Sequence, residues 1–440
     1  ITPLELTNTA NIKMPWCCGN FMGREKQITA RCPEKLSPNL QPDGLRWWRL
    51  GFSSQNQDSI AYVRPLAISR VAPSSCGEKS RSTANRNQRM AQSRYLLALD
   101  QSTSATKAVL FDPRGRVLDK AARSHRQIYP QPGWVEHDAE EIWQNTLAAL
   151  REVAGRNRPR LARLLGLSLT NQRETVVVFD RRTGKPLHHA LVWQDRRGDA
   201  LCRRLLKQGW EESVRRKTGL KIDTYFSASK LRWLSENCAG LAAKLTRGDA
   251  LIGTIETYLI YRLTRGAVFA TDFTNASRTL LFDIRKLRWD AELCRQFRVP
   301  RSALAEVRES AALFGTTDAE GILPRHLPIV GVMGDSQASL FAQRCYQPGM
   351  AKATFGTGTS VLLNLGDRFR VSRQGAVTAL AWVWRGKPTY AFEGLINFSA
   401  ATLEWLRQQL RLFRSVDEIA KLAASVPDNG GVYLVPAFAG

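Results

Sequence analysis

The strongest constraint in this sequence is a repeated unit. Residues 97–112 read LALDQSTSATKAVLFD, and residues 351–366 read AKATFGTGTSVLLNLG. Each is an apolar strand, a short turn bearing hydroxyls, and a second apolar strand. One such unit in each half predicts two like domains facing each other across a cleft. A tight turn of small residues exposes its backbone N–H groups, and neighbouring hydroxyls add donors without bulk, so such turns cradle phosphate oxygens. Thr103, Ser104 and Ala105 lie in the first turn and Lys107 just beyond it; Gly356 and Gly358 flank Thr357 in the second and let the backbone approach a ligand closely. Asp100 ends the strand before the first turn, where it can meet a metal ion. Either turn alone is more often an ordinary hairpin. The pair, with Asp100, favours a nucleotide.

From Tyr95 onward the periodic signals are regular. YLLALD, KAVLFD and GRVLDKAARS predict a three-stranded meander, and Asp138 with Glu141 forms a capping-box signature ahead of the helix IWQNTLAALREVAG. LLGLSLT and TVVVFD read as strands, LLKQGWEESVRRKTG and SASKLRWLSENCAGLAAKL as helices, and IVGVMGD as a buried strand running into the helix SQASLFAQ. The RRTGKP segment lacks the rest of a Walker loop and predicts a surface turn. Residues 1–92 differ from everything after them. Their stretch SSCGEKSRSTANRNQRMAQSR is polar and basic, and it cannot bury enough surface to offset the entropy of ordering. We expect a disordered or spurious extension without a role in the chemistry, with the chain proper starting near Met90.

With 440 residues, 43% hydrophobic and 23% charged, the chain has material for two or three packed domains. No run of about eighteen apolar residues exists to span a bilayer, and the first residues lack the order of a secretory signal. A soluble, cytoplasmic protein is expected. The net charge of +25 favours acidic partners such as phosphorylated metabolites. The basic residues are scattered, however, and no recognition motif accompanies them, so no specific nucleic-acid role is expected. The eight cysteines lack zinc-site spacing, and none of the five histidines forms a helical metal pair, which argues against a protein-bound transition metal. Assembly into a homo-oligomer stays open.

Three more features carry chemistry. Asp335 follows Gly334 at the junction of the strand IVGVM with a helix. It reads either as an N-cap or as a carboxylate that takes a proton from a hydroxyl attacking a terminal phosphate. Arg173 and Glu174, in TNQRET, are either a solvated surface pair or, at a strand end facing a cleft, one donor fork and one acceptor for the hydroxyls of a small polyol. Trp193 in LVWQDRR and Tyr225 in DTYFSASK read singly as core residues.

In this order these residues resemble the FGGY family of carbohydrate kinases, and within it the branch acting on glycerol. The resemblance runs from about Tyr95 to Gly440 and rests on LALDQSTSATKAVLFD, IYPQPGWVEHDAEEIW, TNQRETVVVFD, ALVWQDRR, YFSASKLRWLSEN, TDFTNASRTLLFDI, GDSQASLFAQ and GMAKATFGTGTSVLLN. It implies an α/β protein of actin-like ATPase (ribonuclease H-like) fold, two similar domains with ATP and Mg²⁺ between them, and phosphoryl transfer to a terminal hydroxyl of glycerol. The first domain would cover 93–345 and the second 346–440. Because the family's second domain continues beyond GVYLVPAFAG, the resemblance implies a second domain that is incomplete here. By position, Thr103, Ser104, Ala105 and Lys107 match the first phosphate loop, Thr357 the second, and Ala400 and Glu404 the nucleotide side. The family pattern places Asp100 near the magnesium, through water. Arg173, Glu174, Trp193, Tyr225, Asp335 and Ser336 match the polyol site, with Asp335 the general base. Several positions depart from the pattern: Ser102, Ser104, Ala105 and Lys107 in the first loop, Ser336 where a glutamine is usual, Ser360 where a phenylalanine packs on the substrate, and Ala400 and Glu404. These leave two alternatives beside glycerol phosphorylation: a kinase for another small polyol or sugar, and a truncated, non-catalytic polyol- or nucleotide-binding protein.

Overall fold

The computed structural model describes residues 29–30, 94–355, 358–372, 374–396 and 398–435. Apart from Thr29–Ala30, the extension expected at 1–92 and the turn residue Thr357 lie outside the described residues.

The predicted meander forms as β1 (Tyr95–Gln101), β2 (Ala105–Phe111) and β3 (Val117–Ser124). With β4 (Leu164–Asn171) and β5 (Leu327–Gly334) it makes a six-stranded sheet in the order Thr316–Thr317, β5, β4, β1, β2, β3. β1, β4 and β5 run parallel, and β2 and β3 run antiparallel to their neighbours. β1 is buried on both faces, as a central strand must be. Leu97 and Leu99 pack with Trp143, Leu147 and Leu150 on one side, while Ala98 joins Val109, Phe111 and Ala342 on the other. β3 is an edge strand and stays largely polar and exposed.

The helix that covers the first face is α1 (Ala139–Arg156). Half of the expected capping box is present: Asp138 Oδ1 accepts from the Glu140 amide at 2.8 Å. Glu141 reaches outward instead and accepts from the Arg126 amide at 3.3 Å.

A four-stranded sheet follows in the order Glu136–His137, Ala190–Leu191, Val176–Asp180, Ala250–Thr254. Val177 and Phe179 belong to the core beneath the first sheet, whereas Val176 and Val178 face a second core with Leu231 and Leu234 of α2 (Ser227–Asn237). The strand's two-residue period thus joins the two cores.

The second repeat is also a hairpin, β6 (Ala351–Phe355) with β7 (Thr359–Gly366). β8 (Val377–Trp384) and β9 (Lys387–Ile396) complete an antiparallel sheet in the order Thr29–Ala30, β6, β7, β9, β8. Between the two large sheets lies α4, preceded in the chain by α3 (Ile255–Leu263); α4 spans Asp335–Ala342. Its Leu340 packs with Leu362, Ala381, Trp382 and Ala391 of the second sheet, and its Ala342 with β1 and β2. No helix among the described residues is long and apolar enough to cross a membrane.

Candidate active site

Parallel strands bring their C-terminal ends to one edge, and there the sheet opens. Gln101 of β1 pairs with Asn171 of β4, and Asn171 with Gly334 of β5. Ligands bind in the crevice outside such strand ends. The three sequence features found separately, Asp100, Arg173–Glu174 and Asp335, each sit at one of these ends.

The chain leaves β4 in a tight turn, with the Gln172 amide donating to the Gln101 carbonyl at 2.7 Å and the Thr175 amide to the Arg173 carbonyl at 2.8 Å. Glu174 adopts φ 64°, the left-handed region that a side chain rarely occupies. This strained backbone turns two consecutive charged side chains, both buried, into the same place. Arg173 is held from three directions. Its Nε lies 3.1 Å from Asp335 Oδ1, its Nη1 donates to Gln337 Oε1 at 3.2 Å, and its Nη2 donates to Glu393 Oε1 at 2.6 Å. Arg278 holds Glu174 in the same manner, Nε donating to Oε1 at 2.5 Å, and places Nη1 2.6 Å from Glu393 Oε2. That last contact is an ion pair whose N–H direction misses hydrogen-bond geometry, so Arg278 keeps buried donors without hydrogen-bond partners.

Gly334 is needed for this packing. A Cβ there would stand 2.8 Å from both Cγ and Cδ of Arg173. Gly334 also caps α4, whose first residue is Asp335 itself; Asp335 therefore does not serve as the N-cap. One Asp335 oxygen, Oδ1, accepts from the Ser336 amide at 2.6 Å as well as facing Arg173. Half of the side chain remains open to solvent, whereas those of Glu174 and Glu393 are 2% and 0% exposed.

The buried charges differ in their protonation energetics. Burial alone would raise the Glu393 carboxyl, but Arg173 and Arg278 outweigh it and hold the group at about 2. For Glu174 burial prevails, with Glu393 adding to it, and its pKa stays above the ordinary value. Tyr225 is pushed well above its usual value by burial and by Glu174, so it is a neutral hydroxyl. Lys352, on β6, is lowered to about 8 by burial, with Arg173 acting in the same direction, and donates to Thr354 Oγ1 at 2.9 Å.

The first hydroxyl-bearing turn adjoins this cluster. Ser102 closes it, its amide and Oγ donating to the Ala105 carbonyl at 3.0 and 2.9 Å. Trp193 Nε1 donates to Thr103 Oγ1 at 3.0 Å, and the Trp193 ring lies 5.3 Å from that of Tyr225. His125 supports the turn from behind: its Nε2 is 2.8 Å from the Thr103 carbonyl, and its amide donates to the Ser104 carbonyl at 3.1 Å. Asp100 and Lys107 pair across the hairpin, Nζ to Oδ2 at 3.8 Å.

Arg173, Glu174, Trp193, Tyr225, Asp335 and the first turn are thus brought together. Ser336 is adjacent in the chain, but Gln337 makes the contact with Arg173. Ala400 and Glu404 lie on α5 (Ala400–Gln408), where Glu404 pairs with Arg407 and accepts from Gln408; among the described residues no hydrogen bond or ion pair joins either to the cluster.

Sequence reading missed Arg278, Glu393 and Lys352. Arg278 lies inside the quoted TNASRT, and both Glu393 and Lys352 stand at inward positions of strands, where an unpaired charge would be costly. The motifs PGWVEHD and VWQDRR turn out to share a structural task. The Arg197 guanidinium lies 4.0 Å from the Trp134 ring and 4.7 Å from the Trp233 ring, with Glu136 and Asp195 at 2.7 and 2.8 Å.

Comparison with known proteins gives a consistent answer. Residues 95–342 match the model of the N-terminal domain of the FGGY family of carbohydrate kinases. A glycerol kinase of Halorhodospira halophila is 49% identical over 349 residues, covering 79% of this chain and 69% of that protein. A glycerol kinase of Brevibacillus brevis is 46% identical over 349 residues, 79% and 70% of the two chains. Among solved structures, Plasmodium falciparum glycerol kinase with ADP superposes with a TM-score of 0.75 at 35% identity, over 79% of this chain and 70% of that one.

Proposed function

The chain belongs to the FGGY family of carbohydrate kinases, and from that premise we propose that it transfers the γ-phosphoryl group of ATP to a terminal hydroxyl of glycerol, giving sn-glycerol 3-phosphate. The observation that carries this reading is the pairing of Arg173 with Asp335 at neighbouring strand ends, beside a hydroxyl-bearing turn.

In phosphoryl transfer the protein chiefly positions the reactants and stabilises charge. Arg173 uses three of its five N–H groups on Asp335, Gln337 and Glu393, leaving two for polyol hydroxyls. Glu174 supplies an acceptor, Tyr225 a neutral hydroxyl, and Trp193 an apolar wall anchored to the phosphate turn through its N–H. The attacking hydroxyl gives its proton to Asp335. Because Oδ1 is held by Arg173 and the Ser336 amide, Oδ2 is the oxygen that accepts it. Thr103, Ser104, Ala105 and Lys107 receive the phosphates on one side, and the family pattern assigns the matching role to Thr357.

Magnesium fits as a companion of the nucleotide. Such an ion keeps water and phosphate oxygens and takes few protein ligands. Asp100, buried at a strand end beside the phosphate turn, is the carboxylate suited to meet it. When bound, the ion offsets the charge of the β- and γ-phosphates.

The test is a coupled assay with Mg·ATP and glycerol, erythritol or a pentulose as acceptor. We expect kcat/KM for glycerol to exceed the others by at least about tenfold, the discrimination one or two pocket contacts supply. A preference for another acceptor overturns the glycerol assignment, and nucleotide binding without any product overturns the kinase reading.

A further inference from the structure

Arg173 belongs to the turn after β4 and Arg278 to the segment after the short helix Phe273–Ala276, both ahead of β5 in the chain. The carboxylate that joins them does not. Glu393 lies on β9, in the middle of the second sheet, where it is opposite Val377 of β8 and Leu362 of β7. Its two oxygens are divided between the two arginines at 2.6 Å each, and no part of its side chain reaches solvent. The result is an alternating series, Asp335, Arg173, Glu393, Arg278, Glu174, nearly closed by the 4.0 Å approach of Arg173 Nε to Glu174 Oε1. Every member except Glu393 precedes the second sheet's β6 in the chain.

We propose that Glu393 is a positioning residue for polyol binding: one carboxylate of the second sheet fixes both arginines, so that the pocket is complete only when that sheet is seated. This rests on the polyol-kinase reading above. Two features make the bridge more than an incidental ion pair. Arg173 Nη2 has Glu393 as its sole hydrogen-bond partner among the described residues, and without it the guanidinium keeps only the Nε contact to Asp335 and the longer, uncharged bond from Nη1 to Gln337. Arg278, in turn, reaches Glu174 through Nε, so a shift of Arg278 moves the acceptor as well as the donor side of the pocket. Arg173 and Arg278 hold the Glu393 carboxyl well below the ordinary carboxylate range, which keeps the bridge an ion pair. By linkage, a polyol that orders Arg173 also strengthens the hold of the strand-end cluster on β9.

The experiment is calorimetric titration of the full chain with glycerol, alongside nucleotide titration and thermal unfolding, for the wild type, Glu393→Gln and Glu393→Asp. Glu393→Gln keeps the shape and removes the charge. We expect its dissociation constant for glycerol to rise at least tenfold while that for nucleotide alone changes less than threefold. Glu393→Asp, which keeps the charge at shorter reach, should fall between wild type and Gln. An unchanged glycerol constant in folded Glu393→Gln, or equal losses of glycerol and nucleotide affinity, overturns the proposal. Should Glu393→Gln not fold, Glu393→Asp alone decides: a glycerol constant equal to that of wild type refutes the bridge. If wild type itself binds no glycerol, the polyol reading fails instead, which is a separate result.

Discussion

Glu174 and Glu404 are both glutamates that sequence placed at ligand contacts, and the fold treats them in opposite ways. Glu174 is buried on a left-handed backbone, held by Arg278, with a pKa raised by that burial. Glu404 lies on α5, where Arg407 and Gln408 one turn along occupy its oxygens, and its pKa is lowered chiefly by the Arg407 hydrogen bond. The first depends on partners from remote parts of the chain and the second only on its own helix. Long-range partners and exclusion of water thus distinguish the surroundings of Glu174 from those of Glu404. The same contrast holds between the strand-end cluster, where only Asp335 keeps an open side, and the segment after β9, where Leu410, Leu412 and Tyr433 are exposed.

Four substitutions test that contrast. Asp335→Asn should have the largest effect, lowering kcat by about 10²–10⁴ with glycerol binding largely kept, because only proton acceptance and charge are lost. Stopped-flow or steady-state turnover measures this, and near-normal kcat would remove Asp335 as the base. Arg173→Ala should destabilise the fold by about 3–5 kcal/mol, since it leaves Glu393 a buried charge short of one partner, and it should also abolish measurable glycerol affinity. Urea unfolding reads the first effect and calorimetry the second.

The third test concerns pH. Glu256 is fully buried at the start of α3, accepting from Thr271 and Asn171, and burial raises its pKa from 4.5 to about 7. An acid with a raised folded-state pKa stabilises the fold fully below its unfolded pKa, and that contribution is lost as pH rises from about 4.5 to about 7. The loss amounts to about 3 kcal/mol at most. Glu256→Gln should flatten the pH dependence of the urea midpoint between pH 5 and 8; an unaltered slope would show that Glu256 is not its source. Glu404→Gln should have the smallest effect, leaving the urea midpoint unchanged and KM for ATP within a factor of about two. A tenfold rise in that KM would restore Glu404 to the nucleotide site.

The meander, the buried strand before Asp335 and both hairpins were legible because each is specified locally, by apolar periodicity and turn chemistry. Arg173 and Glu174 could be recognised as a pair, but not as a strained turn, because the partner that holds the Glu174 side chain, Arg278, comes over a hundred positions later. Glu393 was illegible for a related reason. Its neighbours in sequence are ordinary strand residues, and only folding brings two arginines to it. Asp335 was read correctly as a strand-end carboxylate, yet its N-cap alternative fails because Gly334 takes that position, leaving the aspartate one residue further into the cleft.

The placement of α4 has one more consequence. Its apolar side is wedged into both sheets, so the helix cannot follow one without disturbing the other. Asp335 therefore travels on a shared axle: any shear between the halves is transmitted to the very oxygen that must meet the alcohol, and the jaw and the tooth move as one piece.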